Sequence, residues 1–235
     1  MTETNSHWQS LYKLGGWAAM IFVLYSLATM VIMVALGTPP TSAVEIFQML
    51  EQNKLVGLLR LDILTLFIVP LYYVIFLSIF VALKKTELSF TTLGTLIAFA
   101  GVTLFLATPS VFSWLALSDK FSAAKTIMEQ EQLTAAGEAI LASDMWHGSG
   151  AIIGGLLMLI GALVVSIIML KSGNFGKGTA YVGIVTHGLD LLHAIISFFA
   201  PQIGVILMAI AGPLYLIWFP MLARDFFRMG RSEKG

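Results

Sequence analysis

The sequence predicts an all-α fold, a polytopic membrane protein built as a bundle of six transmembrane helices with two short outer amphipathic helices. Two observations predict it. Of 235 residues, 58% are hydrophobic and only 11% are charged, where a soluble domain carries about 25% charged residues. Charge this scarce leaves most of the surface facing lipid. Six apolar runs, at about 14–36, 56–83, 91–117, 147–170, 179–199 and 202–223, are long enough to cross a bilayer. A hydrocarbon core of about 30 Å needs roughly 20 residues per helix.

The chain is polar through Lys13 and then enters the first run, which is too long for a signal-peptide core and has no A-x-A-like site after it. It reads as a retained first helix. Pro39-Pro40 breaks that helix. Ser42 with Glu45 three residues on forms a capping box, and Ile46, Phe47, Met49 and Leu50 give the next segment an apolar face. The second and third runs exceed the length a span needs, so they are expected to tilt or project. Between Ser118 and Asp144, Phe121, Ile127, Met128, Leu133, Ile140 and Leu141 alternate with acidic and amide residues. Both segments are predicted to lie on the outer membrane surface, where they can roof a polar pocket.

The fourth run contains Gly150-x-x-x-Gly154, which lets another helix approach closely. His147 lies near the face of Gly154, so it is predicted to pack against a neighbour, with the fifth span as the candidate. The turn from Lys171 to Gly178 has glycines and lysines but lacks the Gly-Lys-Ser/Thr ending and the preceding strand of a phosphate-binding loop. It reads as a tight turn. Pro201 separates the last two spans, and Arg224, Arg228, Arg231 and Lys234 form a basic tail.

Nine Lys and Arg residues near the spans fall on the side of the termini and four on the other. This asymmetry places both termini in the cytoplasm, and the plasma membrane is the expected location. Lys+Arg and Asp+Glu both number 13, so no charge excess points to nucleic acid. There is no cysteine, which excludes disulfides, thiolate catalysis, iron–sulfur clusters and Cys-type zinc sites. The expected partners are the lipid bilayer and a lipid-like or small-molecule ligand.

The chemistry concentrates in the fifth run. His187, Asp190 and His193 stand inside it, and ionisable groups in hydrocarbon cost a few kcal/mol each. At 100° per residue, Thr186, Asp190, His193 and Ser197 form one stripe, with His187 to one side and Gly183 flanking it. Asp144 and His147 are three apart at the outer entry of the fourth run. Arg60 and Asp62 occupy the outer part of the second, where Arg60 snorkels and Asp62 shares a face with Thr65 and Tyr72. Asp62, Asp144, His147, His187, Asp190 and His193 are therefore the candidate polar pocket. His147, His187, His193 and Asp190 also make a candidate zinc ligand set. Three functions stay open: packing or binding, a metal-dependent hydrolase of a lipid-like substrate, and a small proton-coupled transporter using Asp62, Asp190 and His193. A weak internal repeat pairs Leu83-Lys84 and Gly94 with Leu170-Lys171 and Gly183, a pattern that transporters share with other membrane proteins.

Gly154-Gly155-Leu156-Leu157-Met158-Leu159-Ile160-Gly161, then Leu170-Lys171-Ser172-Gly173-Asn174-Phe175-Gly176-Lys177, then Ala180-Tyr181-Val182-Gly183-Ile184 resembles a prokaryotic multi-pass family, the domain of unknown function 4386 family. Its members pair a Gly-containing span with an Arg/Lys-Ser-Gly turn and a Gly-rich span that ends near an acidic residue, where Asp190 stands here. This chain departs in having Gly176-Lys177 where a proline is common. The resemblance implies a six-span helical fold and carries no activity.

Overall fold

The computed structural model of the chain describes residues 8–145 and 147–231. The first seven residues, Trp146 and Lys234 of the basic tail lie outside them. Every element among the described residues is a helix: α1 (Gln9–Leu36), α2 (Ala43–Gln52), α3 (Lys54–Arg60), α4 (Thr65–Ile68), α5 (Leu71–Leu83), α6 (Leu88–Leu106), α7 (Val111–Ala123), α8 (Ile127–Leu141), α9 (Ser149–Met169), α10 (Lys177–Ile196) and α11 (Pro201–Gly230). Six stretches are long and apolar enough to cross a membrane: Gln9–Leu36, Thr65–Leu83, Leu88–Ala123, Ser149–Met169, Lys177–Ile196 and Pro201–Gly230. This is a multi-pass membrane protein. Helices suit lipid because their backbone hydrogen bonds close within the segment. Hydroxyls inside the spans follow the same rule: those of Ser78 and Thr95 donate to carbonyls four residues back, each at 2.8 Å.

Both overlong runs are interrupted along their length. The run at 56–83 breaks at Leu61–Leu64, where Asp62 takes a left-handed φ of 52°. It bends again at Val69-Pro70, since Pro70 has no N–H to donate. The run at 91–117 ends as α6 at Leu106 and restarts as α7 at Val111. Pro109 removes a helical hydrogen bond and disfavours helical backbone at Thr108. The last run, by contrast, continues as α11 well past residue 223, through Arg224 and Arg228 of the basic tail.

The helices form two compact units. The first comprises residues 1–24, 70–103 and 154–235. Its seam between α6 and α9 is made by glycine. A Cβ on Gly101 would stand 2.5 Å from the Met158 nitrogen and 2.6 Å from the Gly154 oxygen, and one on Gly161 would stand 2.5 Å from the Gly94 oxygen. The close neighbour of Gly154 is thus the third span and not the fifth. The fifth span meets α9 five residues beyond Gly161, at Ser166, whose Oγ would stand 2.7 Å from a Cβ on Gly183. Gly161→Leu drives a side chain into backbone, so it is expected to cost about 1–3 kcal/mol. Unfolding in SDS mixed micelles measures this, and an unchanged midpoint would contradict the seam.

The turn before α10 is fixed from α11. The buried Asp225 carboxylate accepts the Gly176 N–H at 3.0 Å and the Thr179 hydroxyl at 2.6 Å. Arg224 and Arg228 flank the same carboxylate at 3.2 and 3.5 Å. The glycine-rich segment is a braced turn.

The second unit comprises residues 25–69 and 104–153. Ala43, Ile46, Phe47 and Leu50 of α2 pack around Trp114 of α7, with Ile140 and Leu141 of α8 against them. The two outer amphipathic segments share a core with α7. The reason is volume: Gly137 admits Phe47 and Trp114 within 3.1 Å of where a Cβ would be. Ser42 caps α2 as predicted, accepting the Glu45 N–H at 3.2 Å. Glu45 does not complete the box: its carboxylate accepts the Thr41 N–H at 3.0 Å and pairs with Arg60 at 3.0 Å. The complete capping box is at Thr126 and Glu129 of α8. There the backbone N–H groups of Lys125 and Thr126 hold the Glu129 carboxyl below its ordinary value.

Candidate functional site

His187, Asp190 and His193 of α10 each meet a group on α11. Asp190 and His187 are three residues apart on α10, so they straddle one side chain of the facing helix. That side chain is Tyr215, whose hydroxyl donates to Asp190 Oδ2 at 2.7 Å. His187 Nδ1 lies 3.4 Å from the same hydroxyl, a long contact. Because the phenolic proton is committed to Asp190, Nδ1 is the donor in that contact, and His187 Nε2 carries the lone pair. Phe22, Tyr72 and Phe219 wall the tyrosine: Phe219 stacks on Tyr215 at 5.8 Å and on Phe22 at 5.0 Å, and Tyr72 lies 4.2 Å from Phe22. Tyr72 therefore serves this aromatic wall.

The chain from Asp190 to His187 ends among groups that lack partners. Ser166 of α9, His187 and Trp218 of α11 are 0%, 3% and 1% exposed. Ser166 Oγ, His187 Nε2 and Trp218 Nε1 are all buried without a hydrogen-bond partner. They gather beside Gly183. A Cβ there would stand 2.6 Å from Trp218 Nε1 and 2.7 Å from Ser166 Oγ. The His187 ring, one helical turn on, meets the Trp218 ring edge-on at 4.6 Å. The cluster offers two donors, Trp218 N–H and Ser166 O–H, and one acceptor, His187 Nε2.

His193 does something different. Its Nδ1 donates to the Gly204 carbonyl at 2.9 Å, and Ser197 Oγ lies 3.1 Å from the same nitrogen. This ties the end of α10 to the start of α11. Thr186 is buried and returns its hydroxyl to the Val182 carbonyl at 2.7 Å.

The other candidates belong to the second unit. Asp144 and His147 meet as the spacing predicts, with His147 Nδ1 3.0 Å from Asp144 Oδ1. They do so in the turn before α9 rather than on a helix face, because α9 begins only at Ser149. The His147 side chain is 62% exposed. Asp62 Oδ2 lies 2.6 Å from both Tyr25 Oη and Thr65 Oγ1. The Arg60 guanidinium donates to the Thr38 carbonyl at 2.6 Å and to Glu45 at 3.0 Å. A cavity of about 20 Å³ lies among Pro39, Pro40, Arg60, Trp114 and Asp144. That is room for a water, not a lipid-like substrate. Its charged lining residue from the second run is Arg60, not Asp62.

Within neither unit, among the described residues, do three His, Asp or Glu side chains gather as a set that could hold a metal ion. Within the first unit, His187, Asp190 and His193 each have their own local partners and do not gather as a metal ligand set.

Sequence reasoning did not find Tyr215, Trp218, Ser166, Tyr25 or Asp225. Tyrosine and tryptophan in a span look like core or interface residues, and a lone serine carries no pattern. Asp225 is hidden between the arginines of an evidently basic tail. No family model matches the chain, and comparison with curated proteins and with solved structures returned no match.

Proposed function

We propose that the protein is a small proton-coupled transporter of the plasma membrane, with both termini cytoplasmic and the Asp190–Tyr215–His187 chain as its proton path. The orientation rests on the nine-to-four distribution of Lys and Arg. One observation carries the function: a hydrogen-bonded chain inside the spanning helices is closed at Asp190 and open at His187 Nε2. A mere tether has no use for an open end, because an unpaired buried polar atom costs about 1–3 kcal/mol.

The open end supports a defined step. A proton binds His187 Nε2. The Nδ1 proton passes to Tyr215 Oη as the phenolic proton passes to Asp190 Oδ2. The step leaves a neutral imidazole of the other tautomer, a neutral phenol and a neutral carboxyl, so one proton entering discharges one carboxylate. Phe22, Tyr72 and Phe219 give the path an aromatic wall on one side.

The test is proton entry into liposomes loaded with a pH-sensitive dye, driven by a potassium diffusion potential. It is run with and without a mixture of sugars, amino acids and inorganic cations outside. The parent protein is expected to admit protons, and Asp190→Asn and Tyr215→Phe to slow entry by roughly a hundredfold. A parent no faster than empty liposomes in both conditions would sink the reading.

A second reading, packing alone, is favoured by the His193–Gly204 tether. It expects Asp190→Asn to lower thermal stability and to change no flux.

A further inference from the structure

Three oxygens meet in the second unit, away from the α10–α11 chain. Tyr25 Oη comes from α1, Asp62 Oδ2 from the turn between α3 and α4, and Thr65 Oγ1 from the start of α4. Tyr25 Oη to Asp62 Oδ2, Tyr25 Oη to Thr65 Oγ1, and Thr65 Oγ1 to Asp62 Oδ2 are each 2.6 Å. Thr65 is buried and the other two are half-buried.

Separations this short need a hydrogen between the two oxygens. Three contacts therefore need three hydrogens. The hydroxyls of Tyr25 and Thr65 supply one each. With Asp62 ionised, both are drawn to the carboxylate, and the Tyr25–Thr65 contact is left as two lone pairs facing at 2.6 Å.

We propose that Asp62 is a proton-binding site, its carboxyl held as the neutral acid at neutral pH in a closed ring with Tyr25 and Thr65. The hydrogens run one way around. Asp62 Oδ2–H donates to Tyr25 Oη, Tyr25 O–H to Thr65 Oγ1, and Thr65 O–H back to Asp62 Oδ2. Loss of the carboxyl proton turns both hydroxyls toward Asp62 and pushes the tyrosine and threonine oxygens apart. Proton binding is thereby coupled to the spacing between α1 and the α3–α4 turn.

The surroundings agree. Asp62 lies in the turn, outside the six spanning stretches, and burial pushes its carboxyl up from the ordinary value. Tyr25 is the titratable group facing it from α1. Arg60, two residues back on α3, turns its guanidinium to Thr38 and Glu45. The left-handed φ of 52° at Asp62 is one that Asp and Asn adopt more readily than most side chains. Asp62→Asn therefore removes the proton site while suiting the backbone.

Infrared spectroscopy of the full chain in liposomes tests this, because a protonated carboxyl and a carboxylate absorb in different regions. The parent protein at neutral pH is expected to show an acid carbonyl band that Asp62→Asn removes and that alkaline titration converts to carboxylate. A parent-minus-variant difference containing only carboxylate at neutral pH would overturn the proposal. Should Asp62→Asn not fold, Tyr25→Phe replaces it. Deleting the acceptor of the carboxyl proton must shift the acid band, and an unmoved band counts against the ring. The neutral spectrum is also taken with sodium and with choline as the sole cation. It must be the same in both, since a carboxylate appearing only in sodium would make a metal cation, and not a proton, the ligand. None of these readings depends on proton flux, so the site stands or falls separately from the transport reading.

Discussion

Asp225→Ala is expected to destabilise the protein by about 3–5 kcal/mol. The carboxylate is fully buried and accepts from the Gly176 N–H at 3.0 Å and the Thr179 hydroxyl at 2.6 Å. Hydrogen bonds to a charged group contribute about 1.5–3 kcal/mol each, and here both donors lose their acceptor at once. The arginines add little. The Arg224 and Arg228 side chains are 63% and 57% exposed, and exposed pairs contribute about 0–1 kcal/mol. A favourable field comes from α10, whose N-terminus faces the carboxylate. Asp225→Asn keeps one acceptor oxygen and should recover about half of the loss. SDS unfolding followed by tryptophan fluorescence ranks the three proteins. If alanine and asparagine both match the parent, Asp225 does not hold the turn.

Trp114→Ala is expected to cost a similar amount, about 3–5 kcal/mol, by a different route. Trp114 is 2% exposed and meets Phe47 edge-on at 5.9 Å. It touches α2 and α8 from α7, so its loss opens a cavity that three short helices border. Short helices are marginal alone and depend on such packing. Hydrogen exchange should therefore quicken in α2, α7 and α8. Trp114→Phe should lose less than half as much. Unchanged protection in the alanine variant would mean that Trp114 does not organise this core.

The sequence made some of this legible and hid the rest for physical reasons. α9 and α10 emerge close to their predicted bounds because lysines and glycines interrupt the hydrophobic pattern between them. The second and third runs were read as too long because hydropathy records composition and not backbone. Asp62, Pro70 and Pro109 each break a helix without interrupting an apolar run for more than a residue or two. The pairs Asp144–His147 and Asp62–Thr65 were legible from spacing alone, being local. Asp190 was legible as a costly charge in a span. Its partner was not, because Tyr215 arrives from another helix and looks like any membrane tyrosine. His193 bonds a main-chain carbonyl, which no side-chain pattern can show. Arg60 looked like a surface residue, since its partners Thr38 and Glu45 come from the chain's return around Pro39-Pro40.

The order of synthesis gives the interleaving of the two units a consequence. All of the second unit has been made once residue 153 has been added, whereas the first cannot be completed until α11 exists. During that interval α10 carries His187, Asp190 and His193 with no Tyr215 or Gly204 to receive them. Alone in hydrocarbon, such a helix is a poor candidate for release from the insertion machinery. Only the residues from 197 to 200 separate it from α11. The two helices are therefore expected to leave for the bilayer together as a hairpin, already joined through Asp190, Tyr215 and the His193–Gly204 bond.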